Sequence, residues 1–114
     1  MVSFNVKKPP RKFKVGADLS ITISDCCSVE LQPDEQVTFV SIDEKEYDVA
    51  AKSWGYYATP SVNKRLKSFG YSTALVVNSF GAIYVMIVDV NKMDDFADYC
   101  NKESQTVLEW ISDR

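Results

Sequence analysis

Trp54, Tyr56, Tyr57, Asn63 and Arg65 fall close together in the stretch WGYYATPSVNKRLKSFGY, residues 54–71. Indole and phenol rings offer flat, electron-rich faces, and tyrosine adds a hydroxyl that can donate or accept. Asn63 supplies an amide, and Arg65 a fork of N–H donors suited to anionic oxygens. If a helix begins near Pro60, the N–H groups of its first turn add a further anion site. An aromatic ledge beside such a terminus would suit a sugar that carries a phosphate. A structural reading competes with this one, because a pair of tyrosines ahead of a capped amphipathic helix requires no ligand. Tyr56 and Tyr57 are consecutive, so on an extended chain at most one of them can enter the core.

Other chemistries find less support. The 114 residues contain no histidine. That removes the commonest general base and every Ser-His or Cys-His nucleophile pair. The four glycines, Gly16, Gly55, Gly70 and Gly81, stand singly, so no phosphate-cradling loop is formed. Cys26 and Cys27 are adjacent, so on a strand they would point to opposite faces and could not easily grip one metal together, while Cys100 lies on an apolar helical stripe. Neither a metal nor a cofactor is expected. Asp43, Glu44, Glu46 and Asp48 cluster in sequence and read as turn residues and a solvated strand face. Any acid–base work would fall on carboxylate, lysine or tyrosine, for example Asp48 or Lys52 near Tyr57.

Charge is unevenly distributed. Residues 1–14 carry five cations and no acid (+5), and the rest hold eight cations against sixteen carboxylates (−8). A basic arm can meet phosphates or anionic lipid, or attract its own domain. The acidic body argues against nucleic acid as a partner. No apolar run is long enough for a membrane span, and the N-terminus lacks the apolar centre of a secretory signal. The expected location is cytoplasmic.

The elements that must position these residues read as a single α+β domain over 1–114, with a basic arm over 1–11, disordered or held as a first edge strand. It is mainly an antiparallel β meander of about six strands. Leu19, Ile21 and Ile23 alternate with polar residues, as do Val29 and Leu31, with a hairpin loop at Asp25-Cys26-Cys27 between them. QVTFVSI, apolar on both faces, reads as an interior strand, and EYDVAAKSW as the next. Thr59 as N-cap, Pro60, the stripe Val62, Leu66 and Phe69, and Gly70 as stop predict a short helix at about 60–69. YSTALVVN and AIYVMIVDV form a hairpin around Ser79-Phe80-Gly81, the second strand being placed centrally. Met93, Phe96, Ala97, Cys100, Val107, Leu108 and Ile111 predict one longer C-terminal helix at about 92–112. Open edge strands make a homodimer a natural expectation.

The run YDVAAKSWGYYATPSVNKRLKSFGYSTALVVN, residues 47–78, resembles small uncharacterised bacterial proteins encoded among surface-polysaccharide (O-antigen or capsule) biosynthesis genes. WGYYATPSVNKRL carries most of the likeness, and IYVMIVDVNKMDDF agrees with it. The resemblance implies a setting in nucleotide-sugar or glycan metabolism and no catalytic residue. Three functions follow as expectations. The first is a non-catalytic accessory protein that binds a nucleotide sugar, a glycan or a protein partner. The second is a small enzyme acting on a sugar through tyrosine, lysine or carboxylate. The third is an anionic-polymer binder working through the basic arm.

Overall fold

The computed structural model describes residues 2–114. The chain divides into two compact units, one of Met1–Phe39 with Asp48–Thr59 and one of Val40–Tyr47 with Pro60–Arg114. Among the described residues eight strands form three mostly antiparallel groups, β1-β2, β3-β4-β5 and β7-β6-β8. With the α-helices of the second unit, the class is α+β. Among the described residues no helix is long and apolar enough to cross a membrane.

Strands β1 (Ser3–Val15) and β2 (Ile21–Glu30) make a two-stranded ribbon in the first unit. The basic segment therefore takes the edge-strand form, apart from Met1, which lies outside the described residues. β2 runs unbroken through Asp25-Cys26-Cys27, which corrects the expected hairpin loop there. The period of two continues from Ile21 through Asp25 to Val29, and Asp25 holds its place by accepting from Lys7 and Arg11. The irregularity lies on β1 instead, where Pro9-Pro10 has no N–H to give and the register jumps between Val6 and Arg11.

β3 (Gln36–Val40), β4 (Glu46–Lys52) and β5 (Gly55–Ala58) form the second sheet. Here β4, not the expected QVTFV strand, is interior: Ala50 and Ala51 are buried, while Phe39 and Val40 on β3 are exposed. Asp48, expected on a solvated face, is only 8% exposed.

The second unit is organised on β6 (Tyr71–Val77), which lies between β7 (Ile83–Asp89) and β8 (Thr106–Trp110). Thr73, Ala74 and Val76 of β6 are fully buried. β7 is thus an edge and not the central strand, and Ile83, Tyr84 and Val85 are all exposed. The displacement comes from β8. The longer helix ends early as α2 (Met93–Lys102), because Glu103 caps it and Ser104 takes φ +55. Thr106 and Val107 then favour extended backbone and pair with β6. Leu108 falls at a register shift and is exposed, so the apolar spacing imitated a helical stripe without burying one.

The short helix also contracts, to α1 (Arg65–Ser68). Thr59 does not cap it: its N–H donates to the Asp48 carbonyl at 3.0 Å. Lys64 stands at the N-cap position, and Ser61 satisfies the leading amides, its Oγ accepting from the Arg65 N–H at 3.0 Å and its carbonyl from the Leu66 N–H at 3.0 Å. Of the predicted stripe only Leu66 is fully buried, where α1 packs on β6, and Phe69 is exposed. Gly70 ends the helix as expected, at φ +91. An added Cβ there would meet Lys45 Nζ at 2.8 Å, and that ammonium is already tied to Asp89 and the Gly70 carbonyl. Gly70→Ala should cost about 1–2 kcal/mol from the left-handed backbone alone, read as a lower urea midpoint. Thr73 carries the opposite expectation. Its Oγ1 is buried without a hydrogen-bond partner among the described residues. Thr73→Val keeps the shape and removes the orphan hydroxyl, so stability should stay level or rise by about 1 kcal/mol in the same assay.

Candidate functional site

β4 and β5 turn on Ser53 and Trp54, with Lys52 paired to Gly55. Gly55, at φ +145, lets the chain leave this tight turn, and an added Cβ would meet nothing within 4 Å. The register then decides where the tyrosines point, because directly paired residues share a face of the sheet. Tyr57 is paired with Ala50 and Tyr56 with Ala51. Tyr57 therefore lies on the face of Asp48, Ala50 and Lys52, and Tyr56 on the face of Val49 and Ala51. Neither enters the core: Tyr56 is 71% exposed and Tyr57 46%. β5 is the edge of its sheet among the described residues, with β4 as its neighbour.

Trp54, 69% exposed, returns over the Tyr57 side. Its ring lies 6.2 Å from that of Tyr57, centroid to centroid, with the planes 26° apart. Beside this stack, Lys52 Nζ donates to Asp34 Oδ1 at 2.5 Å. The Asp34 carboxylate, helped by a smaller contribution from Tyr57, holds the Lys52 ammonium above the ordinary lysine range. Asp34 reaches this place through backbone pairing. Its N–H donates to the Ala51 carbonyl at 2.8 Å, and the Ala51 N–H donates to Glu35 at 2.9 Å. Two aromatic faces thus adjoin one fixed cation and one fixed carboxylate, all within the first unit.

Asn63 and Arg65 belong to the second unit. Asn63 Nδ2 donates to the Arg114 carbonyl at 3.1 Å. Arg65 places its guanidinium 5.7 Å from the Phe69 ring centroid. The expected anion site at a helix start does not form. α1 has four residues, and Ser61 already satisfies its leading amides. Among the described residues, Asp34 is the member that sequence reasoning missed. It stands 18 residues before Lys52 in the chain, and nothing local reveals that partner.

The second unit has its own shallow cavity of about 240 Å³, lined by Glu44, Lys45, Glu46 and Phe69. Lys45 is spent inside that unit: it donates to Asp89 at 2.7 Å and stands 5.2 Å from the Tyr71 ring centroid. The Lys45 ammonium first, then the Asn91 N–H, hold the Asp89 carboxyl below the usual aspartate range. Asp25 is held low by Lys7 and Arg11, and Glu109 by Arg114. A carboxyl depressed on folding contributes stability that is present above its unfolded value, 3.8 for Asp89, and lost as pH falls through the folded value. Urea midpoints should therefore hold steady from neutrality to about pH 5 and decline below about pH 4. In Asp89→Asn that decline should be shallower.

No family model, curated protein or solved structure matches the chain.

Proposed function

We propose that this protein is a non-catalytic binding protein for a saccharide, either a glycan or the sugar part of a nucleotide sugar, with Trp54 and Tyr57 as the contact surface. The observation that carries this reading is their exposed stack at a sheet edge, flanked by the Lys52–Asp34 pair. A pyranose ring has one face of C–H groups, which settles on an aromatic face, and a rim of hydroxyls. Lys52 donates to such hydroxyls and Asp34 accepts from them, so the two orientations of a diol are distinguished. The resemblance of residues 47–78 to proteins encoded among surface-polysaccharide genes agrees with this ligand class. Tyr56 extends the exposed aromatic surface on the opposite face of β5.

An acid–base role for Lys52 meets an obstacle, because Asp34 keeps it protonated and a protonated lysine is no base. The basic strand offers fewer cations to an anionic polymer than its composition implies, since Lys7 and Arg11 are engaged with Asp25. A thermal-shift panel of neutral oligosaccharides, acidic glycans and nucleotide sugars tests the proposal. Stabilisation by one ligand class is expected. Indifference to every class would remove the saccharide reading.

A further inference from the structure

We infer that the β1-β2 ribbon is a dimerisation element that packs its apolar face against the same face of a second copy of this chain. The ribbon register puts Phe4 beside Val29, Val6 beside Cys27, Arg11 beside Asp25, Phe13 beside Ile23 and Val15 beside Ile21. Paired residues share a face, and β2 alternates without a break, so these ten side chains lie on one side. The other side carries Asn5, Lys12, Lys14, Thr22, Ser24 and Ser28, as a wet face should.

Among the described residues no third strand joins the ribbon. A two-stranded hairpin with an uncovered apolar face is at best marginally stable in water. Much of this face is uncovered: Phe4 is 69% exposed, Val6 59%, Ile23 42% and Phe13 40%, while Val15, Ile21 and Val29 are half-buried. Since an aromatic side chain alone can bury about 150–250 Å², the face offers on the order of 500 Å² per copy. Two copies would then remove about 1,000 Å² from water, the lower bound for a specific interface.

Charge selects the occupant. Three hydrogen bonds to Asp25 all fall on Oδ2: from Lys7 at 2.5 Å and from Arg11 at 3.3 and 3.2 Å. Oδ1 is left open among the described residues, and the Arg11 side chain is 69% exposed. These charges sit at the middle of the face with apolar pairs on either side. In a two-fold arrangement the middle of one face meets the middle of the other. Arg11 of each copy then reaches the open oxygen of the other copy's Asp25, and apolar pairs cover apolar pairs. An acyl-chain surface would offer nothing to the open Asp25 Oδ1 or to the remaining N–H groups of Arg11, and burying them unsatisfied carries a cost that a second copy avoids.

The ribbon carries its own reporters. Cys27 lies on the apolar face and Cys26 on the opposite one, and both thiols are exposed in the single chain. Sedimentation analysis of the full chain should give twice the 12.9 kDa chain mass at high concentration. Iodoacetamide labelling, resolved by mass spectrometry, should slow at least tenfold at Cys27 between dilute and concentrated protein, with Cys26 unchanged. Phe4→Glu with Phe13→Glu should give a monomer with wild-type tryptophan emission and an unchanged melting temperature of the second unit. Ile42→Glu, at a fully exposed position of the second unit, should remain a dimer. A monomer at every concentration, with Cys27 labelling independent of concentration, would overturn the inference. So would dissociation by Ile42→Glu alone, or protection of Cys27 that requires anionic vesicles.

Discussion

Leu66→Ala is expected to lower the stability of the second unit by about 3 kcal/mol, within the 2–5 kcal/mol typical of such truncations. Leu66 is fully buried and is the one apolar anchor of a four-residue helix. A helix that short has no independent stability, so α1 exists because Leu66 holds it on β6. Hydrogen bonds also tie α1 and β6 to Ser112, which limits how far these elements can relax. Pro60 and Ser112 are also fully buried, Ser112 Oγ accepts from the Thr73 N–H at 3.3 Å, and Lys67 donates to the Ser112 carbonyl at 3.3 Å. A loss of this size should lower the melting temperature by on the order of 10 °C. Leu66→Met, which keeps the volume, should cost under about 1.5 kcal/mol. Calorimetric melts of the two variants would check both figures. Equal melting of Leu66→Ala and wild type would mean that α1 is not anchored as described.

The second large effect is on binding. Trp54→Ala should weaken saccharide affinity roughly fivefold or more, because a stacked aromatic face is worth about 1 kcal/mol or above. Tyr57→Phe keeps the stack and loses only the hydroxyl, so a smaller loss is expected. Fold stability should move by less than about 0.5 kcal/mol in Trp54→Ala, since the ring is 69% exposed on a two-residue turn. That separation matters. A purely structural Trp54–Tyr57 contact would lower the melting temperature and leave affinity alone, whereas a binding surface does the reverse. Titration calorimetry and melts on the same two variants distinguish the cases.

Much of the local punctuation was legible in the sequence. Gly70 and Gly81 take the positive φ that their turn positions demand. Asn78, ahead of the β6-β7 hairpin loop, accepts from the Phe80 and Ala82 N–H groups, as a turn asparagine should. Asp94 and Asp95 mark the start of α2. What failed was decided by pairing between distant segments. Val107, Leu108 and Ile111 fit a helical period, yet β6 had an open side that a strand could fill. Asp25 looked like loop chemistry because its two cationic partners lie 14 and 18 residues earlier.

The candidate site divides in the same way. Aromatic composition pointed to Trp54, Tyr56 and Tyr57, and the alternation rule posed the question of which tyrosine leaves the core. The register answers that both do, on opposite faces. Asn63 and Arg65 were added because a helix start at Pro60 would have brought them beside the rings. With α1 beginning at Arg65, that premise is gone. Asp34 takes its place through sheet pairing that no local pattern announces.

Trp54 and Trp110 are the two tryptophans of the chain, and Trp110 is half-buried edge-on to Phe96, with ring centroids 5.7 Å apart. In a Trp110→Phe background, emission reports on Trp54 alone. Titration with the saccharide panel is the most direct test of the binding surface. The predicted result is a saturable change in Trp54 emission for at least one glycan or nucleotide sugar, lost in the additional Tyr57→Ala variant. Emission that stays constant to saturating concentrations of every member of the panel would contradict it.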